Sequence, residues 1–137
     1  MSEDCNVVGQ TGEAAVAAQL AAAGFHVYAP IFCKPESDLI GELGGKLVRF
    51  QVKTLAGNAP ALRFPTWTSS TGSYVGLVDW FAFHSLYHGI TAFLKPEEAG
   101  TRPTLHYDDS DDPFHEIKTA RYASDYALGR VIKETLT

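Results

Sequence analysis

The strongest constraint on the fold is a hairpin signal in residues 37–54, SDLIGELGGKLVRFQVKT. Two runs with strand-like alternation flank Gly44 and Gly45, and a two-glycine loop is typical of a tight antiparallel hairpin. A two-residue turn also sets the register, because pairing proceeds outward from the turn one residue at a time. In that register Asp38 lies directly across from Gln51. The sequence therefore predicts an antiparallel hairpin with one preferred alignment.

The same register sorts the side chains of the hairpin onto two faces. Asp38 and Gln51 share one face with their Cβ atoms about 5 Å apart, and Lys53, two residues farther along, shares that face. The opposite face carries the apolar residues Leu39, Val48, Phe50 and Val52. A polar outer face is common on an antiparallel hairpin that is exposed to water. The pattern thus predicts one face in the core and one face that presents a polar trio.

The remaining segments predict a mixture of helices and strands. Thr11 is a favourable N-cap for an alanine-rich helix to about Ala23, and Gly24 is a favourable stop. Strand-like patterns occupy residues 25–32, 75–84 and 89–94, an irregular segment spans 57–73, and a closing helix is expected over about 113–134 with a break near Gly129. This order predicts an α/β (α+β) fold with a mixed sheet. The length of 137 residues predicts one domain, covering residues 1–137.

Charge and hydropathy limit the classes of protein to which the chain can belong. The chain has 45% hydrophobic and 20% charged residues and a net charge of −5, which is typical of a globular protein. Five of the sixteen acidic residues lie in YDDSDDPFHE at 107–116, and the rest of the chain carries equal numbers of acidic and basic residues. The charge therefore argues only weakly against binding of nucleic acid. No apolar run approaches the roughly 20 residues of a membrane span. The acidic N-terminus lacks the apolar stretch of a signal peptide, which predicts a cytoplasmic protein without a membrane partner.

Glu13 adds a fourth polar group, on the predicted first helix. At 3.6 residues per turn it shares a face with the apolar residues Val16 and Leu20. A glutamate near the start of a helix is also favoured by the helix dipole alone. Taken singly, Glu13 does not require a functional site, and it becomes a candidate only in combination with the hairpin trio.

The four polar residues together suit a metal-dependent hydrolytic site. The Asp38 carboxylate and the Gln51 amide oxygen are hard ligands suited to Mg²⁺, and the Val52 carbonyl between them is a third donor. Glu13 could bind the same ion directly or through a coordinated water. A lysine beside the ion can orient or deprotonate a water molecule, or stabilise charge that develops on a phosphate. We therefore predict an active site of Glu13, Asp38, Gln51 and Lys53.

These residues resemble the motif of the PD-(D/E)xK nuclease superfamily. That motif has a glutamate on a helix, an aspartate on a strand and (D/E)-x-K on the following strand. Here Ser37 stands where proline is common, and Gln51 stands where an acidic residue is common. The sequences GEA at 12–14, QVKT at 51–54 and VDWFAF at 78–83 are most similar to the homing endonucleases of this type that are encoded in bacterial group I introns.

The resemblance implies a restriction-endonuclease-like core, in which helices flank a mixed β-sheet. It implies hydrolysis of phosphodiester bonds in double-stranded DNA with Mg²⁺, for which Mn²⁺ can substitute. It also implies a homo-oligomer, a dimer or a tetramer, because a two-strand target needs two active sites. We expect Lys34 and Arg63 to contact phosphates, with Ser37 beside Asp38 as a further DNA contact.

Two other functions stay open at the level of sequence. A Holliday-junction-resolvase-like nuclease would have the same core, but such enzymes usually keep a glutamate at the position of Gln51 and a strongly basic face. A catalytically silent module that binds DNA or a protein partner is the other alternative, and Gln51 is the residue that supports it. Asp79 lies in a hydrophobic run and is expected to be structural, with a hydrogen-bond partner. The histidines match no common zinc spacing.

Overall fold

The computed structural model describes residues 3–31, 37–59, 61–64, 67–68, 72–100, 103–107 and 121–137, without the side chains of 3–6, 67–68 and 72–73. The helices are α1 (Glu3–Ala22), α2 (Pro96–Ala99) and α3 (Leu128–Leu136), with a 3-10 helix at Ala123–Tyr126. The strands are β1 (His26–Tyr28), β2 (Leu39–Leu43), β3 (Lys46–Leu55), β4 (Ala61–Arg63), β5 (Trp67–Thr68), β6 (Gly72–Ser73), β7 (Trp80–Ser85), β8 (Ile90–Leu94), β9 (Thr104–His106) and β10 (Arg121–Tyr122). In this part of the chain, no helix has the length and apolar character that a membrane span requires.

A five-stranded sheet in the order β1-β2-β3-β7-β8 forms the centre of the fold. β3 and β7 run parallel, and the other neighbouring pairs of this sheet are antiparallel. A three-stranded sheet in the order β10-β9-β4 and the short pair β5-β6 complete the strands of the described residues. The mixed sheet with its flanking helices confirms the predicted α/β (α+β) fold class. The strand that carries Gln51 and Lys53 is the central one.

The predicted hairpin is confirmed in its turn and in its register. Gly44 and Gly45 have φ values of 59° and 79°, a left-handed conformation that glycine adopts without a steric penalty. β2 pairs with β3 in the expected register, which places Leu39 opposite Phe50 at the far end. The predicted apolar face is buried, with Leu39, Val48, Phe50 and Val52 all in the core. Local turn chemistry therefore sets the alignment of two core strands.

Successive residues of the central strands contribute to two hydrophobic cores. The helix-side core lies under α1 and α3 and includes Val16, Leu20, Phe50, Val52, Phe93 and Val131. The sheet-side core lies under β4 and β9 and includes Leu62, Phe64, Tyr74, Phe81, Phe83 and Leu105. Neighbouring residues along a strand point to opposite faces. Val52 therefore packs beneath α1, whereas Lys53 points toward the sheet-side core.

The first helix is longer than predicted. α1 begins at Glu3, and Thr11 is not its N-cap, because the Thr11 hydroxyl donates to the Val7 carbonyl at 2.7 Å within the helix. A threonine hydroxyl that bonds four residues back is satisfied inside a helix. Packing against the sheet outweighs the low helix propensity of Gly12. The predicted stop is confirmed, since Gly24 has a φ of 102°.

Two predicted strands are shorter than their sequence patterns. The strand expected over residues 25–32 is limited to β1, where pairing with β2 ends at Tyr28 opposite Ile40. Ile31 lies beyond this pairing and is 86% exposed. The strand expected over residues 75–84 begins only at Trp80, because the residues before it form a turn. The irregular segment 57–73 contains β4, β5 and β6.

The prediction of a closing helix over about 113–134 is wrong for residues 121–127. Arg121 and Tyr122 pair in parallel with β9, a 3-10 helix follows, and α3 begins at Leu128. The partner strand β9 lies elsewhere in the sequence, so the local pattern could not reveal this pairing. Residues 113–120 of the predicted helix lie outside the described residues.

The contact between Gly12 and Thr54 gives a test of how closely α1 packs on β3. A methyl group at Gly12 would overlap the Thr54 side chain, whereas one at Gly9 would meet no atom within 4 Å. We expect Gly12→Ala to lower the free energy of unfolding by about 1–3 kcal/mol through overpacking. Gly9→Ala should raise it by up to about 1 kcal/mol, because alanine is the better helix former. Urea denaturation measures both, and equal stability of the two variants would contradict the close packing.

Candidate active site

β3 extends past the first residue of its neighbour β2, and among the described residues no strand pairs with β3 on that side beyond Phe50; this side of β3 is called its open edge. β2 begins at Leu39 opposite Phe50, whereas β3 continues to Leu55. Asp38 lies at this junction. Its N–H donates to the Phe50 carbonyl at 2.8 Å, and its Oδ2 accepts the Val52 N–H at 2.8 Å. The carboxylate thus takes the place of a main-chain partner for β3.

The Asp38 side chain is buried at this edge, with 6% of the residue exposed. A buried carboxylate requires hydrogen-bond partners, and the Val52 N–H supplies one. The predicted register brings Asp38 next to β3 as expected. The bond to the Val52 main chain is an additional feature that the strand alternation did not predict, because it forms only where the pairing of β2 ends.

The Val52 carbonyl is directed to the same open edge. The N–H and C=O groups of one strand residue point to the same side of the strand, and the Val52 N–H points at Asp38. The Val52 side chain lies in the helix-side core and leaves only 7% of the residue exposed. Two of the predicted oxygen donors, the Asp38 carboxylate and the Val52 carbonyl, are therefore adjacent.

Gln51 and Lys53 flank Val52 on β3, and both are half-buried. The Lys53 Nζ lies 5.3 Å from the centre of the Tyr74 ring. Burial lowers the pKa of Lys53 from its ordinary value, and the negative charge of Asp38 opposes that shift. The structure thus brings the Lys53 ammonium and the Asp38 carboxylate within electrostatic range of each other.

Glu13 lies on α1, beside the point where the helix touches β3. It is half-buried, and the preceding residue, Gly12, packs against Thr54 in the second half of β3. Val16 and Leu20 are fully buried, which confirms the predicted core-facing stripe. α1 therefore carries Glu13 past the same half of β3 that holds the predicted hairpin residues.

An open cleft of about 460 Å³ lies between the first half of α1 and the second half of β3. It is lined by Val8, Gly9, Gln51, Val52, Lys53, Thr54 and Ala56. Clefts of comparable volume at the opposite end of β3, around Lys46 and Trp80, contain none of the predicted site residues. Of the predicted site residues, Gln51, Val52 and Lys53 therefore line the cleft beside α1, whereas Glu13 and Asp38 do not.

The donor atoms at the open edge fit a hard divalent cation. Among the described residues, no group of three or more His, Cys, Asp and Glu side chains could hold a metal ion. The donors that are present are oxygens, namely the Asp38 carboxylate, the Val52 carbonyl and the Gln51 amide. Mg²⁺ prefers oxygen ligands and keeps several waters, so it needs few protein ligands. Gln51 in place of an acidic residue gives this donor set a low negative charge.

The residues predicted to contact DNA have different surroundings. Arg63 is exposed on β4, and its Nε donates to the Thr104 hydroxyl at 3.1 Å. Ser37 precedes Asp38 and is buried, with 8% exposed. Lys34 lies outside the described residues.

Asp79 and Tyr74 lie in the segment before β7 and differ in their surroundings. Asp79 has the structural role that was expected, since its Oδ2 accepts the Arg49 N–H at 2.8 Å and the Arg49 Nε–H at 3.2 Å. The Tyr74 ring faces the Lys53 ammonium, a contact that the sequence does not predict. No spacing rule could have found that contact, because the two residues lie in different elements.

Comparison with known proteins identifies the family. The family model described as PD-(D/E)XK endonuclease matches residues 4–79, which is more than half of the chain. The chain belongs to the PD-(D/E)XK endonuclease family and is a nuclease of that type. Nucleases of this family generally use divalent metal ions. The four predicted site residues, Glu13, Asp38, Gln51 and Lys53, lie within the matched range. No curated protein matches the sequence.

Two solved structures are similar to this one. A bacterial homing endonuclease, I-Ssp6803I, matches with a TM-score of 0.74 over 96% of this chain and 93% of that chain, at 13% sequence identity. Hjc of Archaeoglobus fulgidus, a Holliday junction resolvase from an archaeal hyperthermophile, matches with a TM-score of 0.50 over 77% of this chain and 88% of that chain, at 15% identity. These likenesses confirm the restriction-endonuclease-like core.

A partly buried pair of hydrogen bonds joins α1 to the edge of the main sheet. The Gln19 Nε2 donates to the Thr91 hydroxyl at 2.6 Å, and that hydroxyl lies 2.6 Å from the His84 Nδ1. His84 is 5% exposed, and burial lowers its pKa from the ordinary value of 6.5. These contacts link α1, β7 and β8 at the Thr91 hydroxyl.

The His84 link should make stability depend on pH. The unfolded chain binds the histidine proton more tightly than the folded protein, because the folded pKa is the lower one. We expect the free energy of unfolding to fall as the pH drops from 7 to 5, and His84→Gln to flatten that dependence. Urea denaturation at several pH values measures it, with His88→Gln as the control at an exposed histidine. The same pH dependence of the free energy of unfolding in the wild type, His84→Gln and His88→Gln would exclude a contribution from His84.

Proposed function

We propose that this chain is a Mg²⁺-dependent DNA endonuclease with Glu13, Asp38, Gln51 and Lys53 in its active site. The observation that carries the proposal is the hydrogen bond from the Val52 N–H to the Asp38 carboxylate, which fixes that carboxylate on the central strand between Gln51 and Lys53. Membership of the PD-(D/E)XK family and the adjacent cleft support it. We further propose that residues 1–137 form one endonuclease domain, which acts on DNA in the cytoplasm.

Asp38, Gln51 and the Val52 carbonyl would hold the metal ion, and Glu13 would bind it directly or through a coordinated water. A bound Mg²⁺, or Mn²⁺ in its place, supplies Lewis-acid chemistry that neutralises phosphate charge and acidifies water. The Val52 N–H bond keeps the Asp38 carboxylate at the edge before any ion binds. Such support of a ligand by its neighbours favours metal binding, because less freedom is lost on binding.

Lys53 would position the attacking water and the scissile phosphate. Its ammonium can donate hydrogen bonds to both. Burial lowers the pKa of Lys53, and the nearby Asp38 charge opposes that shift. Partial burial makes each of these contacts stronger than in open water. Lys53 would thereby stabilise the negative charge that develops on the phosphate during hydrolysis.

The proposed substrate is a specific sequence in double-stranded DNA. The likeness to the homing endonuclease covers nearly all of both chains, whereas the likeness to the resolvase covers less of this chain. The QVKT sequence at 51–54 points the same way. A structure-specific nuclease that acts on four-way junctions is the alternative, and the resolvase likeness supports it.

The proposed enzyme acts as a homo-oligomer, a dimer or a tetramer. Each chain would supply one set of site residues, whereas a duplex has two strands to cut. A symmetric assembly is the usual way to provide two sites. Arg63, Lys34 and Ser37 are the proposed contacts to the DNA.

Cleavage of DNA in the presence of Mg²⁺ tests the proposed function. We expect the wild-type chain to cut a large plasmid or genomic DNA, and Lys53→Ala and Asp38→Ala to lower the rate by about 10²–10⁴-fold. Lys46→Ala, at the exposed start of the same strand, and Asp125→Ala, at an exposed aspartate, are matched controls that should keep the rate. The readout is the appearance of nicked and linear products on a gel.

The choice of DNA in the same assay separates the candidate functions. Cutting of four-way junctions but not of linear duplex would favour the resolvase-like alternative. No cleavage of any DNA in Mg²⁺ or Mn²⁺ would overturn the enzymatic proposal and favour a silent binding module.

Gln51→Glu tests whether residue 51 binds the metal. The substitution adds a negative charge to a donor set that contains one buried carboxylate at the open edge, Asp38. We expect Mg²⁺ and Mn²⁺ to bind about tenfold more tightly, because ligand charge raises the affinity for a divalent cation. Titration calorimetry of the DNA-free protein measures this, with the exposed Gln10→Glu on α1 as the control. Equal affinities in the two variants would show that Gln51 is not a ligand.

A further inference from the structure

The Lys53 ammonium lies over the face of an aromatic ring. Its Nζ is 5.3 Å from the centre of the Tyr74 ring, within the range in which a cation is attracted to the electron-rich face. Tyr74 is buried, with 6% exposed, and belongs to the sheet-side core. The attraction is stronger where water is excluded. Tyr74 therefore offers the ammonium a fixed contact inside the protein.

The Tyr74 ring is held in place relative to β3 by its packing on a neighbouring strand. It packs edge-to-face on Phe81, with ring centres 5.3 Å apart and an interplanar angle of 74°. Phe81 lies on β7 directly beside Gln51. The Tyr74 carbonyl accepts the N–H groups of Leu77 and Val78 at 2.9 and 3.3 Å. Both the ring and the main chain of Tyr74 are thus fixed relative to the strand that carries Lys53.

The turn that follows Tyr74 is tied to β3 by an ion pair. Besides the ion pair, the Asp79 N–H donates to the Arg49 carbonyl at 2.9 Å, and the Arg49 N–H donates to the Asp79 carboxylate Oδ2 at 2.8 Å. The Arg49 guanidinium also donates to the Gly76 carbonyl at 3.2 Å. These bonds anchor the turn two residues before Gln51, so the turn cannot shift without disturbing the central strand.

We infer that Tyr74 is a positioning residue for Lys53, whose ammonium it holds at the open edge of β3 beside Asp38. A lysine side chain has four rotatable bonds, and holding it in one arrangement costs conformational entropy. A ring already fixed by Phe81 and by the Arg49–Asp79 pair restricts that freedom before substrate binds. The inference rests on the proposed role of Lys53 in DNA cleavage.

Tyr74→Leu and Tyr74→Phe separate this role from simple packing. Tyr74→Phe keeps the aromatic face and should cleave within about twofold of wild type. Tyr74→Leu removes the face but keeps an apolar side chain, and we expect the single-turnover cleavage rate to fall about two- to tenfold. The affinity for DNA, measured by gel shift in Ca²⁺, should stay within about twofold, because the ring does not bind the substrate.

A stability cycle tests the contact without any activity. Lys53→Met is introduced into the wild-type protein and into the Tyr74→Leu variant, and the unfolding equilibrium constants are measured in urea. Lys53→Met removes a cation–π interaction only when Tyr74 is present. We therefore expect Lys53→Met to raise the unfolding equilibrium constant about two- to tenfold more in the wild-type protein than in the Tyr74→Leu variant. Tyr107→Leu is the matched control, since Tyr107 is equally buried in the sheet-side core but stacks on His88 instead.

The outcomes distinguish the inference from the proposed function. Coupling of Lys53 to Tyr74 but not to Tyr107, with a slower Tyr74→Leu enzyme that Tyr74→Phe restores, supports the inference. Absence of coupling, or equal rates for Tyr74→Leu and wild type, overturns it even if the protein is an active nuclease. Wild-type protein that cuts no DNA overturns the proposed function, and with it a positioning role in catalysis, although the coupling would still be measurable.

Discussion

The hydrogen bond between the Val52 N–H and the Asp38 carboxylate joins the residue just before β2 to the central strand of the main sheet. It forms where main-chain pairing stops and satisfies an N–H that would otherwise be left unpaired in the core, at a cost of about 1–3 kcal/mol. The same carboxylate acts on the charge of Lys53. One buried aspartate therefore stabilises the fold and shapes the electrostatics of the site, which makes the two properties inseparable at this position.

β3 can carry a polar site in the centre of the protein because its two faces meet different layers. Val52 contributes to the core under α1, whereas Lys53 points toward the core under β4 and β9. β2 begins at Leu39, opposite Phe50, so among the described residues no strand pairs with β3 on that side beyond Phe50. α1 lines the cleft beside this half of β3.

The family membership is shown by a match that includes all four candidate residues, yet Gln51 changes the electrostatics of the site. An acidic residue there would add a negative charge next to Asp38. In the proposed metal site Gln51 would contribute an uncharged oxygen, so attraction for a cation would depend more on geometry and on Asp38. The arrangement of Asp38, held by the Val52 N–H, compensates in part, because a prearranged ligand loses less freedom when it binds.

Much of the candidate site could be predicted because its geometry is local. The two-residue turn at Gly44 and Gly45 needs positive φ at both positions, and this leaves one alignment of the strands. That alignment is enough to bring Asp38 beside the second half of β3 and to separate the polar face from the apolar one. The amphipathic stripe of α1 follows from helix geometry in the same way, although its start does not, since packing on the sheet extends the helix past Thr11.

The contacts that complete the site depend on segments that are distant in the sequence. Tyr74 meets Lys53 only because β3 and β7 lie side by side, and Gly12 meets Thr54 only because α1 crosses β3. Arg121 and Tyr122 form a strand because β9 offers them hydrogen-bond partners. Periodicity and turn chemistry report on neighbours within a few residues, whereas these contacts are created by packing and by pairing between strands. The residues of the hairpin thus determine its own alignment, whereas the surroundings of Lys53 are decided by tertiary packing between distant segments.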